Sequence, residues 1–235
     1  MRALLLALAL QEEIEQVRTK TAYVLDAGEI EVDLVGSFLR FDEDGRRHDR
    51  SRLLLEIEAG LTDWLLAEIE APYLFENPES GPGEHGIGDL ELELKARIPG
   101  DVLGVEAAVG IEVSLLTGDA DEGLGAPETE LGAFVGLSRR FDVLLVHLQL
   151  GVEGAEERRP EYEVNAAVDF RPWGRPFSFL LALNGEIEPG EGPGWSVVPG
   201  FEARFDEIQA GAGFPLGLSE EAEAWGVIVD VEFEF

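Results

Sequence analysis

Hydrophobic residues recur at every second position along most of the chain. In the C-terminal run they occupy each odd position from Trp225 to Phe235, with Asp230, Glu232 and Glu234 between them. Because successive side chains of a β-strand point to opposite faces, this run predicts a strand with one apolar and one acidic face. No stretch after residue 20 takes up a helical period. The same period of two recurs in earlier segments near 30–38, 52–59, 65–71, 89–97, 103–114, 129–138, 142–153, 161–170, 177–187, 195–205 and 207–214.

The connections between these segments alternate in length. Short turns are predicted at 60–63, 99–101, 139–142, 171–174 and Asp206, and longer polar loops at 42–49, 77–86, 117–127, 154–160, 188–194 and 216–221. This alternation places every long loop at one end of an up-and-down meander, as in outer-membrane barrels. A soluble β-sandwich has Greek-key crossovers, so its connections are not expected to alternate in length in this way. The sequence therefore predicts an all-β fold, a single antiparallel up-and-down transmembrane β-barrel of about 12 strands and outer-membrane type, over 27–235.

Alternation alone does not say which face is inside, because a soluble sandwich would bury the same aliphatic rows. The chain has 49 acidic and 17 basic residues, a formal charge of -32, yet 45% of its residues are hydrophobic. The apolar rows run unbroken for about one hydrocarbon thickness, and many aromatic residues fall near strand ends, where membrane interfaces lie. Both features favour lipid outside and an acidic lumen within. The negative charge also argues against nucleic acid as a partner.

The two ends of the chain carry predicted targeting features. Arg2, a short apolar run and an Ala7-Leu8-Ala9 site predict a signal peptide over 1–10, with a short hydrophobic helix as the alternative. Residues 11–26 are predicted to be an N-terminal periplasmic segment. Phe233 and the terminal Phe235 resemble the signal that the barrel-assembly machinery reads in outer-membrane barrels. The expected location is the bacterial outer membrane with periplasmic termini, and its lipid and the assembly machinery are expected partners.

Three motifs in the first half add a family resemblance. Residues 86–97 read GIGDLELELKAR, which resembles the "GxGDxxLxxKYR" strand of an outer-membrane transporter family associated with the meta-pathway of phenol degradation. Residues 115–119, LLTGD, are similar to its "LPTGD", and 60–64, GLTDW, resemble its "YGLTDR" turn. The order and spacing hold over roughly 27–153. The resemblance implies an outer-membrane barrel with a transport function and does not imply that this chain handles phenol.

Enzymatic and metal chemistry find little support in the sequence. His48 and His85 fall in predicted loops, while His147 lies on an inward row with Gln149 and has no serine two residues away. Acyl chemistry therefore lacks a nucleophile beside a base, and no enzyme activity is predicted. The acidic run at 119–122 lacks calcium-loop spacing, so no metal site is expected. Nothing suggests an organic cofactor, and the absence of cysteine excludes disulfides.

The inward acidic rows are the predicted functional element. Dry burial of so many carboxylates is prohibitive, so the lumen is expected to be hydrated or filled with cations. The hypothesis is a passive channel for small solutes or cations, because rings of carboxylates attract cations and exclude anions. The alternatives are a non-conducting structural or surface-binding barrel and a secreted acidic β-sandwich that binds carbohydrate or calcium. The expected lumen-lining, solute-binding residues are Glu56, Glu58, Glu68, Glu70, Asp89, Glu91, Glu93, Lys95, Arg97, Glu112 and His147.

Overall fold

The structure is a computed structural model that describes residues 21–43, 46–78, 82–102, 104–156, 158–172, 176–190, 192–219, 222 and 224–235. The predicted signal peptide and residues 11–20 lie outside these ranges. A short 3₁₀ helix spans Ala120–Glu122. The strands are β1 (Ile30–Glu43), β2 (Arg46–Thr62), β3 (Leu65–Pro78), β4 (Glu84–Ile87), β5 (Leu90–Val102), β6 (Val105–Leu115), β7 (Glu130–Phe141), β8 (Leu144–Gly154), β9 (Glu161–Phe170), β10 (Phe177–Ile187), β11 (Gly194–Phe205), β12 (Ile208–Gly213), β13 (Leu216–Gly217) and β14 (Trp225–Glu234).

The strands form one closed antiparallel ring. Neighbours in the ring follow the chain order, and β1 then pairs with β14, which places Glu31 opposite Glu234 and Arg40 opposite Trp225. Closure leaves no open sheet edge in the membrane, where unpaired backbone groups would be costly. The predicted barrel of about twelve strands is confirmed. The alternative of a β-sandwich is wrong, because a sandwich consists of two separate sheets.

Two of the twelve strand positions are each shared by two strands. β3 pairs with β5 as far as Glu70 and then with β4 from Tyr73 onward, so β4 and β5 share one position. β12 and β13 likewise share the position between β11 and β14. The first interruption lies at Gly88 and Asp89, inside a motif that carries the family resemblance.

The connections differ in detail from the predicted ones. The predicted loop at 42–49 is wrong, because β1 and β2 continue as paired strands until Glu43 faces Arg46. At the start of this extension Arg40 faces Asp49, and Arg40 Nε donates to Asp49 Oδ1 at 2.7 Å, an ion pair of a kind that stabilises antiparallel strands. The turns predicted at 60–63 and 99–101 come later, since β2 continues to Thr62 and β5 to Val102. We call the end that holds the predicted long loops the loop end, and the opposite end, with Ile30 and Phe235, the turn end.

The two faces of the wall are as expected for a membrane barrel. Aliphatic side chains face outward and are exposed, including Leu53 at 53% and Ile111 at 60%, whereas inward carboxylates such as Glu70 and Glu93 are buried. Aromatic residues rim both ends of the outer face, among them Trp64, Phe141, Phe170, Phe177 and Phe205 at the turn end and Phe75, Tyr162 and Trp225 at the loop end. No helix among the described residues is long and apolar enough to cross a membrane.

Phe134 is an exception to the predicted aromatic rim. It faces the interior from the middle of β7 and is 3% exposed. Its ring lies over Gly110 of β6, where a Cβ atom would come within 2.2 Å of the ring. The absence of a side chain at Gly110 thus provides the space that an inward aromatic residue needs.

Candidate functional site

A cavity of about 550 Å³ occupies the turn end of the barrel interior, and we call it the vestibule. Its described lining has twelve acidic side chains and four basic ones. Most of the acids come from β14, β1, β2 and β3, which are consecutive around the ring. The acids are Asp26, Glu29, Glu31, Glu56, Glu58, Glu68, Glu70, Asp169, Glu202, Asp230, Glu232 and Glu234, and the bases are Lys95, Arg140, Arg171 and Arg204.

Carboxylates lie close together on the part of the vestibule formed by β14, β1, β2 and β3, which we call the acidic wall. Oxygen atoms of Glu56, Glu58 and Glu68 lie within 4.8 Å of one another, as do those of Glu31, Asp33 and Glu232. This crowding follows from strand register, since Glu58 faces both Glu31 and Glu68 across neighbouring strands. Like charges at such distances repel, so the wall favours the presence of counter-cations.

The basic side chains neutralise only part of this charge. Lys95 Nζ lies 4.0 Å from Glu58 Oε1, Arg204 Nη2 lies 3.3 Å from Glu232 Oε1, and Arg171 Nε lies 2.7 Å from Asp169 Oδ2. Each of these three cations therefore pairs with a vestibule acid. The excess of carboxylates leaves the vestibule with a net negative charge.

An apolar layer bounds the vestibule on the side of the loop end. Val35, Leu54 and Ile228 project from β1, β2 and β14 and form one contiguous cluster with Ala167, Ala182 and Val198 from β9, β10 and β11. Leu54 is 1% exposed and Ile228 is 0% exposed. Several members of the layer also line the vestibule. The layer therefore forms the inner end of the cavity.

A row of neutral polar side chains lies next to this layer, on the side of the loop end. Gln149, Asn165, Asn184 and Ser196 face one another on β8 to β11, and all four are buried. Among the described residues, neither polar atom of the Asn184 side chain has a hydrogen-bond partner, and Asn165 Oδ1 also has none. A buried amide without a partner costs about 1–3 kcal/mol. Water entering at this level would recover part of that free energy.

Ion pairs continue from Glu70 of the acidic wall towards the loop end. Arg52 Nη2 is 3.2 Å from Glu70 Oε2, and both side chains are almost fully buried. Arg50 pairs with Glu76, whose other oxygen lies 2.6 Å from His48 Nε2. His48 thus belongs to a strand and an ion-pair network, whereas the sequence placed it in a loop.

The structure places the predicted lumen residues in four locations. Glu56, Glu58, Glu68, Glu70, Lys95 and His147 line the vestibule. Glu91, Glu93 and Glu112 belong to the inward rows of β5 and β6, where Glu93 faces Glu68 on one side and Glu112 on the other. Arg97 spans the β2–β3 turn and donates to the carbonyl oxygen of Asp63 at 2.7 Å.

Asp89, the last predicted lumen residue, holds the β6–β7 loop. Its side chain is 0% exposed and accepts backbone N–H bonds from Thr117 and Gly118 at 2.8 Å and from Ala126 at 2.5 Å. Thr117 also donates through its hydroxyl to the Gly88 carbonyl at 3.0 Å. Two motifs of the family resemblance, 86–97 and 115–119, therefore meet in space. Their spacing in sequence reflects this contact.

A third carboxylate group depends on a glycine. Glu112, Glu153 and Glu163 come from β6, β8 and β9, with β7 running between the first two, and their oxygen atoms lie within 4.8 Å of one another. Gly132 of β7 permits this, since a Cβ atom there would lie 2.0 Å from Glu112 Oε1. Three oxygen ligands at such distances are compatible with a hard cation. The expectation of no metal site stays a prediction.

The sequence missed one buried contact of His147. Its Nδ1 lies 2.8 Å from Ser138 Oγ on the neighbouring strand β7, and this oxygen accepts the N–H of Ala22 at 3.0 Å. A serine beside a histidine is a pair that hydrolases use. Here the hydroxyl is 1% exposed and covered by the chain's own backbone. The expectation of no enzyme activity stays a prediction.

Comparisons with solved structures identify the fold. The chain is similar to the COG4313 outer membrane channel from Pseudomonas putida F1, with a TM-score of 0.76 and 13% identity over 92% of this chain and 98% of that one. It is also similar to the KdgM porin, with a TM-score of 0.61 and 10% identity over 87% of this chain and 99% of that one. The NanC porin gives a TM-score of 0.61 and 12% identity, with 86% and 98% covered. No protein-family model and no curated protein matches the sequence. The fold is that of an outer-membrane β-barrel.

Proposed function

We propose that this protein is a passive outer-membrane channel that admits small cations and neutral polar solutes. The observation that carries the proposal is the vestibule lining, where acidic side chains outnumber basic ones twelve to four. Carboxylate-lined pores concentrate cations and repel anions. The folds shared with a channel and two porins support a role in transport.

The orientation in this proposal follows the usual rule for such barrels. Short turns face the periplasm and longer loops face the exterior. The vestibule then opens towards the periplasm, together with both ends of the chain. Phe235, which is 75% exposed at the turn end, keeps its predicted role with Phe233 in recognition by the assembly machinery.

A planar-bilayer recording tests the selectivity. With a KCl gradient across the membrane, we expect a reversal potential displaced towards the potassium equilibrium potential. A displacement towards the chloride equilibrium potential would exclude a cation-preferring lumen. Liposome swelling with neutral polyols then measures whether uncharged solutes pass.

Neutralising one acidic cluster should reduce this preference. In the triple variant Glu56→Gln, Glu58→Gln and Glu68→Gln we expect the potassium-to-chloride permeability ratio to fall by about three- to tenfold. Each charge contributes about 0.5 kcal/mol at about 8 Å in water, screening by physiological salt reduces this to about 0.2 kcal/mol, and the effect has opposite signs for the two ions. The matched control is Asp121→Asn with Glu122→Gln, which removes exposed charges from the β6–β7 loop. Equal ratios in the triple variant and the unaltered protein would show that this wall does not set selectivity.

A non-conducting barrel is the second candidate, and the apolar layer favours it. The side chains of this layer are almost wholly buried and narrow the lumen along the six strands that carry them. If the layer closes the lumen completely, conduction requires it to open, and hydration of the neighbouring Asn165 and Asn184 would offset part of the cost. If bilayers that contain the folded protein carry no current, the non-conducting barrel is favoured over the channel.

A further inference from the structure

The chain segment before β1 enters the barrel interior, and we call residues 21–26 the strap. Its base is fixed at the rim of the turn end, beside β2. The N–H of Gly28 donates to the Gly60 carbonyl at 2.8 Å, and the N–H of Gly60 donates to the Glu29 carbonyl at 3.0 Å. A Cβ atom at Gly60 would lie 2.1 Å from the carbonyl oxygen of Asp26. The rim and the base of the strap therefore fit closely.

The tip of the strap contacts the wall formed by β7 and β8. Ala22 is 0% exposed, and its N–H donates to Ser138 Oγ at 3.0 Å. The ring of Tyr23 packs edge-on against His147, with 6.3 Å between ring centroids. His147 in turn hydrogen-bonds to Ser138, so the two side chains form one docking point for the tip.

The base and the tip lie on opposite sides of the barrel. The strap leads into β1, and β8 is the sixth strand position from β1 in a ring of twelve. Ala22 is bonded to Ser138 of β7 while the carbonyl of Asp26 packs against Gly60 of β2, so the stretch from Ala22 to Asp26 connects the two sides. Thr21, Tyr23, Val24, Leu25 and Asp26 all line the vestibule. The strap therefore lies across the mouth of the cavity.

We propose that the strap, docked on Ser138 and His147, sets the size limit of the channel. A docked strap divides the mouth of the vestibule and admits only ions and small solutes, whereas an undocked strap leaves the full width open. Asp26 and the adjacent Glu29 add carboxylates at this entrance. The inference rests on the proposed channel function and names the element that determines which solutes that channel accepts.

An engineered disulfide tests the strap directly. The chain contains no cysteine, so the double variant Ala22→Cys with Ser138→Cys offers one thiol pair. We expect the oxidised form to conduct weakly and the reduced form to show a single-channel conductance higher by about twofold or more, since a wider pore conducts more ions. The reduced form should also pass larger polyols in liposome swelling. Thiol labelling before and after reduction confirms that the bond forms.

Two single variants, Ala22→Cys and Ser138→Cys, show whether the reducing agent itself changes conductance. A further variant, Tyr23→Ala, removes the ring contact with His147 without touching the barrel wall and should raise conductance without any oxidation step.

Failure of the disulfide to form would contradict the docked geometry. Equal conductance and equal size limits in all forms would overturn the strap as the limiting element while leaving the channel intact. If none of the forms conducts, the proposed channel function is overturned, and the inference about the strap with it.

Discussion

Replacement of Asp89 by alanine is expected to lower the free energy of unfolding by about 3–5 kcal/mol, because three backbone N–H groups would lose their acceptor in a buried site. The carboxylate binds Thr117, Gly118 and Ala126, and thereby connects the interruption between β4 and β5 to the long β6–β7 loop. Urea titration of the refolded barrel in detergent micelles, followed by tryptophan fluorescence, measures the change.

Two further variants give this prediction its controls. Asp89→Asn keeps one oxygen for Thr117 and Gly118 and should lose only part of the stability, chiefly through Ala126. Asp121→Ala removes an exposed carboxylate from the same loop and should change the free energy of unfolding by less than about 0.5 kcal/mol. A loss for Asp89→Ala no larger than that for Asp121→Ala would show that the buried hydrogen bonds do not hold the loop.

Substitution of Ile111 by arginine is expected to destabilise the membrane-inserted barrel by about 2–4 kcal/mol, because the residue lies mid-strand on the lipid face. Ile111 is 60% exposed near the centre of β6, between Leu94 and Ala133 on neighbouring strands. In water, an arginine at so exposed a position would cost little. The free energy of unfolding from lipid vesicles therefore tests which solvent this face meets.

Leu116→Arg is the matched control for Ile111→Arg. Leu116 is a comparably exposed aliphatic residue, but it lies just beyond the end of β6. Arginine near a membrane interface costs about 0–1 kcal/mol. If both variants lose the same small amount of stability, the exposed aliphatic belt does not lie in hydrocarbon.

The strands could be predicted because their signal is local. Each apolar row, such as Val227 to Phe235, reports the alternation of one strand without reference to its neighbours. The antiparallel meander follows from connections that alternate between short turns and longer loops. The hairpin at 42–49 was missed because its residues are polar on both faces. A search for apolar alternation does not detect strands of this kind.

The contacts inside the lumen could not be predicted from sequence. Ala22 and Ser138 are in contact although 116 residues separate them in the chain, so no spacing rule relates them. The role of Asp89 depends on a loop that folds back onto it, and the alternation of β5 placed it in the acidic row. The apolar layer is formed by single inward residues such as Leu54 and Ile228, which look like isolated exceptions in their own strands. Only the curvature of the closed ring brings these residues together.

Ring closure has a consequence for the order of assembly. All neighbouring strands are joined by hairpins or local connections, except β1 and β14, where Ile30 and Phe235 exchange backbone hydrogen bonds at the turn end although about 200 residues separate them in the chain. The entropy of loop closure and the folding time both rise with sequence separation, so this seam should form last. Until then β1 and β14 each have an unpaired edge, whose backbone N–H and C=O groups would find no hydrogen-bond partners in hydrocarbon. Insertion and closure of the seam should therefore be a single kinetic event, with the open ring held outside the hydrocarbon until its first and last strands meet.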